Sequence, residues 1–252
     1  MSTERSQPVA RKADRVADDL LRRIVSGEVA VGSLLPREAE LAEAYGVNRG
    51  VVREAIKLLE VHRLVRPIRR RGTEVLDPIA SLSPEVLRAM IRPGPGRIDR
   101  EILAGLLEIR AGLDMQMSVL AAERRTEADL EAMDRCLGEL AGLLGQRDAY
   151  GEMSDELSRV VAHATQNRLF EMLVRWSQVV ATDLEDIFRV VRPASEPHLS
   201  GLTLLVDLIR QQDIDQVRSL VETFHQWSTP RLLAAAALST GVPLNMVMEE
   251  VR

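Results

Sequence analysis

Three arginines in succession, Arg69-Arg70-Arg71, lie between two short apolar stretches and are followed at once by Gly72. A guanidinium is a planar fork of donors, so a run of them at a turn suits phosphate oxygens or entry into a narrow minor groove. Upstream, Arg49, Arg53 and Lys57 recur at four-residue steps, the spacing of one helical face, with Gly50 beside them. Arg49 to Val75 holds eight Lys+Arg against three Asp+Glu, a local net of +5 on a chain whose formal total is −5. The bland reading is a solvated face, with Lys57 paired to Glu54 or Glu60. Against it stands the agreement of charge focus, turn chemistry and element order.

The elements that must carry these cations are legible around them. Pro36 fits a first helical turn, which has no intrahelical partner for an N–H in any case. Leu41, Ala42 and Tyr45 then share one apolar face, and Gly46 breaks the run. Asn48 is placed to cap a helix over Arg49 to Val61, in which Val52, Ala55, Ile56 and Leu59 face a core. Arg49, Gly50, Arg53 and Lys57 face away. Leu64-Val65-Arg66 and Thr73-Glu74-Val75 read as two strands flanking Pro67 to Gly72. With a preceding helical stripe of Val16, Leu20, Leu21, Ile24 and Val25, ended by Gly27, this predicts a helix-turn-helix followed by a small hairpin wing.

The chain as a whole divides by charge. Residues 1–77 hold 15 Lys+Arg and 12 Asp+Glu, whereas the remainder holds 18 and 26. An acidic remainder is not a second nucleic-acid surface. From Ile98 onward every long segment has a helical period, with helices expected near 99–124, 126–146, 149–163, 167–192, 197–211, 213–226 and 229–238. Thr126 with Asp129 makes a capping-box-like start. The fold class expected is thus an N-terminal winged helix-turn-helix, α with a small β-hairpin, joined to an all-α antiparallel helical bundle. The expected divisions are a disordered lead-in over 1–10, the winged domain over 11–77, a linker over 78–98, the helical effector-binding and dimerisation domain over 99–238 and a tail over 239–252. The linker reading rests on Arg92-Pro93-Gly94-Pro95-Gly96-Arg97, which no regular element can cross. The single cysteine, Cys136, excludes an internal disulfide framework. No signal-peptide pattern and no membrane-length apolar run appears, so a cytoplasmic protein is expected. No Ser/His/Asp or Cys/His arrangement, phosphate-cradling glycine loop or HExxH motif points to an enzyme.

The order of residues over Val16 to Val75 resembles the winged helix-turn-helix of the GntR family of bacterial transcription regulators. The residues that carry the resemblance are Gly32 with Leu35-Pro36, Glu40-Leu41-Ala42, Gly46-Val47, Arg49, Val52-Arg53-Glu54-Ala55 and Arg71-Gly72-Thr73. It implies DNA contacts from Arg37, Asn48, Arg49, Gly50 and Arg53 at the major groove and from Arg69, Arg70, Arg71 and Gly72 at the wing. The wing tip departs from the family in lacking its second glycine. Leu106-Leu107-Glu108-Ile109-Arg110 and Leu120-Ala121-Ala122-Glu123-Arg124, with Asp213 and Val217-Arg218, resemble the FadR-type (FCD) C-terminal ligand domain.

That resemblance also frames the body. Many members hold a divalent metal through one Asp and three His. Here the Asp position matches Asp155, but its i+4 partner is Arg159, and the other two positions fall near Leu202 and Phe224. A cation at Arg159 would repel a divalent ion, so no metal is expected. The alternative is a site rebuilt from Asp155 with His163, His198 or His225. Asp155 and His163, however, lie about 12 Å apart along a helix, too far for one coordination shell. The stretch Arg159 to Asn167 resembles the Arg-x-x-Ala-x-Ala-x-x-Asn pattern of the metal-free, acyl-CoA-responsive members. Arg110, Asp155 and Arg159 are then the ligand-binding candidates, the two arginines for a carboxylate or phosphate. The competing reading is structural pairing of Arg159 with Asp155 and Arg110 with Asp114. The function implied is a homodimeric, ligand-responsive regulator, a repressor by the commoner family behaviour. It would bind a short palindromic double-stranded DNA operator under control of a small anionic metabolite, an organic acid or a fatty acyl-CoA. The alternative is a constitutive DNA-binding dimer without effector.

Overall fold

The computed structural model describes residues 7–81, 83–94, 96–188, 190–191 and 193–240. The chain forms two compact units that divide between Asp99 and Arg100. Among the described residues, no helix is long and apolar enough to cross a membrane.

The first unit begins with α1 (Gln7–Val25), so helix starts inside the stretch expected to be a lead-in. Val16, Leu20, Leu21 and Ile24 recur at three- and four-residue steps and are buried. α2 (Glu38–Ala44) opens where Glu40 accepts a hydrogen bond from the Arg37 backbone N–H at 2.9 Å, satisfying one of the donors a helix start leaves unpaired. It ends in a turn through Gly46, whose φ of 61° lies in the left-handed region that glycine adopts without strain. α3 (Arg49–Val61) buries Val51, Val52, Ala55 and Leu59 against α1 and α2, while Ile56 is partly buried. β1 (Val65–Ile68) and β2 (Gly72–Val75) pair antiparallel in the register Val65↔Val75, Arg66↔Glu74, Pro67↔Thr73 and Ile68↔Gly72. The strands therefore reach further toward the tip than expected, leaving only Arg69, Arg70 and Arg71 between them.

The segment 78–98, expected as a linker with a short helical piece near Pro84 to Met90 and either mobile or rigidly packed, is packed. A 3-10 turn over Pro78–Ala80 is capped by the Asp77 carboxylate, and α4 (Pro84–Ile91) follows. Val86 and Ala89 join the core formed by α1, α3 and the wing. After it Gly94 pairs with Arg97, and the Asp99 amide returns to the Ile91 carbonyl. Apolar burial, which stabilises by about 25 cal/mol per Å², decides against a free tether.

The second unit is all-helical: α5 (Arg100–Arg124), α6 (Glu127–Gly142), α7 (Arg147–Ala164), α8 (Arg168–Ala181), the short α9 (Glu185–Phe188), α10 (Glu196–Gln211) and α11 (Ile214–Ser239). Its core includes Met117, Val119, Leu130, Met133, Leu140 and Tyr150. The helix expected over 167–192 is interrupted, since α8 passes through a 3-10 turn at Thr182–Leu184 before α9. Conversely, the break expected between 226 and 229 is absent: α11 runs on through Pro230. Proline removes the i→i−4 bond to the Gln226 carbonyl; one residue on, the Arg231 side chain donates to the Trp227 carbonyl at 2.8 Å and stacks over the Trp227 ring. The part of the tail after Thr240 lies outside the described residues.

Candidate functional site

On the first unit, Asn48 accepts a hydrogen bond from the Val51 amide at 2.9 Å and so fixes the start of α3. A Cβ at Gly50 would lie 3.1 Å from that same Asn48 Oδ1, so Gly50 keeps the cap unobstructed as well as leaving the helix surface bare. Arg49, Gly50, Arg53 and Lys57 are all exposed on the face opposite the core. They are not equivalent. Arg53 is tied across to α2 by Glu38 at 2.7 Å, and Lys57 to Glu54 at 2.9 Å. Among the described residues no ion pair holds Arg37, Arg49, Arg69, Arg70 or Arg71, and all five are exposed.

The wing is braced behind its tip by Arg66, which meets Glu74 across the hairpin at 2.7 Å. The turn closes with the Arg71 amide donating to the Ile68 carbonyl. Arg70 takes φ 63° and Gly72 φ 130°. Arg70 is thus an arginine held in left-handed geometry, a strain of about 1–2 kcal/mol for a residue with a Cβ. The arrangement presents three guanidinium groups together.

On the second unit the three ligand candidates do not converge. Arg110 donates to Asp114 at 3.3 Å and stacks over the Phe188 ring at 5.1 Å, and His225 Nε2 lies 3.2 Å from the same Asp114 oxygen. Burial alone would raise the Asp114 carboxyl; the Arg110 charge and then His225 outweigh it and hold it below its ordinary range. Arg159 bonds to Glu156 at 2.7 Å and to Gln178 at 2.8 Å, so its ion-pair partner is Glu156 and not Asp155. Asp155 offers its backbone carbonyl to Gln178. A cavity of about 340 Å³ opens between α6, α7 and α8, and Arg159 lines it with His163, without Arg110 or Asp155.

The histidines are separated likewise. His163 Nδ1 meets Asp129 at 2.8 Å, His198 Nδ1 meets the Tyr150 hydroxyl at 2.9 Å, and His225 stays beside Asp114. Among the described residues no group of three or more His, Cys, Asp or Glu could hold a metal ion, so the alternative site rebuilt from Asp155 and these histidines is not assembled. The sequence pattern shows Asp129 only as a cap. The structure gives it a second duty, since its carboxylate, 4% exposed as a residue, accepts from Thr126 and also braces His163. Glu171 and Arg175, which line the cavity from α8, carried no local signal at all.

Residues 12–75 match the model for bacterial regulatory proteins of the gntR family, and residues 105–225 match the FCD domain. A helix-turn-helix-type transcriptional regulator of Mycobacterium tuberculosis is 30% identical over 226 residues, covering 88% of this chain and 90% of that protein. The chain belongs to the GntR family. This GntR-family regulator is also 28% identical, over 227 residues, to the galactonate operon transcriptional repressor of Escherichia coli, covering 88% of this chain and 96% of the other. The structure of Lar, which controls expression of the Listeria monocytogenes agr system, shares its fold with a TM-score of 0.57 at 19% identity, covering 87% of this chain and 95% of that one. The GntR-family assignment makes the protein a transcription regulator with an FCD effector domain, and not an enzyme.

Proposed function

We propose that this chain is a cytoplasmic, homodimeric repressor that binds a short palindromic operator and is released by a small carboxylate-bearing metabolite. One observation carries the DNA part: Arg37, Arg49, Arg69, Arg70 and Arg71 are exposed with no ion-pair partner, and they lie at the start of α2, at the start of α3 and at the wing tip. Arg37, Asn48, Arg49, Gly50 and Arg53 address base edges and flanking phosphates in the major groove. Arg69, Arg70, Arg71 and Gly72 address the backbone or the minor groove beside it. A two-fold dimer imposes the pseudo-palindrome on its site.

The effector reading is supported by the cavity beside Arg159, whose volume lies at the small end of the roughly 300–1,000 Å³ typical of ligand sites. That favours a metabolite over an acyl-CoA. The likeness to a galactonate operon transcriptional repressor supports the same sign of regulation. Binding of the full-length protein to duplexes from its own promoter tests the reading by fluorescence anisotropy, with light scattering for the dimer. Saturable binding with a single protected inverted repeat is expected. Affinity no higher than for random duplex at about 0.15 M salt would overturn it.

A further inference from the structure

We propose that the cavity between α6, α7 and α8 binds a zwitterionic α-amino acid with an apolar side chain. The inference names the ligand class for the effector reading above and rests on that reading only for its regulatory meaning. The space exists because α6 presents Ala128 and Ala132, one turn apart, where larger side chains would fill the gap. Val160 of α7 adds a further apolar wall. The groove is open to solvent, and an alkyl side chain laid on this floor would remove part of its apolar surface from water.

The polar groups divide into those already satisfied and those left open. Arg159 is neutralised by Glu156 and held by Gln178. Asp129 is buried and satisfied by the Thr126 amide and hydroxyl and by His163 Nδ1. Burial alone would raise that carboxyl; these contacts together hold it below its ordinary range. Left open are Arg175 and Glu171, together with the outer nitrogen of His163. Glu171 and Arg175 stand four residues apart on α8, the spacing at which opposite charges pair, yet no ion pair joins them. Each is therefore available to something else.

The balance of charge selects the ligand. Asp129, Glu156 and Glu171 line the cavity against Arg159 and Arg175, one more carboxylate than guanidinium. A simple anion would enter a lining with no surplus of positive charge. An amino acid carries no net charge and offers both halves: its carboxylate to Arg175 and its ammonium to Glu171. His163, oriented by a buried carboxylate, supplies a positioned nitrogen beside them.

Isothermal titration calorimetry on the full-length protein tests the site with L-leucine and L-valine as probes. 4-Methylpentanoate, which is leucine without its amine, and 3-methylbutylamine, leucine without its carboxylate, serve as controls. At least one of the two amino acids should bind, with both controls weaker by roughly tenfold or more, the worth of one lost charge-assisted bond. Arg175→Gln and Glu171→Gln, placed outside the core and the DNA-contacting unit, should each weaken amino-acid binding by a similar factor. Operator affinity without amino acid should be unchanged in both. No heat with either amino acid, equal binding of 4-methylpentanoate, or indifference to both substitutions would overturn the proposal. Loss of operator binding in the parent protein would instead count against the DNA-binding reading and leave this site standing.

Discussion

The two units treat their charges in opposite ways. In the first, Arg49 to Val75 concentrates eight cations, and those at the wing tip and the start of α3 have no carboxylate partner. In the second, the arginines considered for ligand binding are already engaged, Arg110 by Asp114 and Arg159 by Glu156 and Gln178. Unpaired guanidinium groups on an exposed face hold their interaction free energy in reserve for a partner outside the chain, whereas paired ones spend it on the fold. A polyanion is met by surplus charge, and a small molecule by the few groups the fold has left unmatched.

The largest expected effect tests the surplus directly. Replacing Arg69, Arg70 and Arg71 together with alanine should weaken operator binding by roughly a hundredfold or more. It should also flatten the plot of log K against log salt by about 2–3 units, as three phosphate contacts would. Anisotropy titrations at several salt concentrations read both, and an unchanged slope would break the contrast between the units. Next, Arg49→Ala should reduce operator affinity by about 1–3 kcal/mol with the dimer intact, as loss of one base or phosphate contact does. Gel shift together with light scattering separates the two.

On the paired side, Asp129→Asn should lower the stability of the second unit by about 1–3 kcal/mol, because Thr126 and His163 lose a charged acceptor. The folded Asp129 carboxyl lies below its ordinary value, so its contribution is complete above the usual carboxylate range and vanishes as pH falls through the folded value. Thermal melts of parent and variant should therefore differ at pH 7 and converge in strong acid. The smallest effect sharpens the contrast within the wing. Arg70→Gly should stabilise the first unit by about 1 kcal/mol by relieving its left-handed backbone, while still weakening DNA binding. A variant that gains stability and loses affinity would show that the wing trades one for the other.

Much of the first unit was legible because its signals are local. Gly46 ends α2, Asn48 caps α3, and Arg71-Gly72 sits at the wing's turn, so identity and geometry coincide within a few residues. The tight ties of Arg53 to Glu38 and of Arg66 to Glu74 were not legible, since each depends on how two elements face one another. The short helix near Pro84 to Met90 was legible within the connector, but its packing was not: only the contact of Val86 and Ala89 with the α1 face turns a proline-led helix into core. In the second unit, helical periodicity placed the elements but not their rotations. Arg175 and Glu171 look like ordinary solvated charges until Ala128 and Ala132 are seen to leave room opposite them. Asp129 read correctly as a cap, yet its bond to His163 spans two helices and has no signature in either.

α11 is 26 residues long, about 39 Å at the helical rise, and it lies alongside α5, which is nearly as long. A rod of that length is stiff wherever its ladder of backbone bonds is continuous. Proline deletes a rung toward Gln226, close to His225, and the Trp227–Arg231 stack splints the same turn from outside. The one rung that proline deletes from this helix is thus bordered by an indole and a guanidinium stacked on its outer surface.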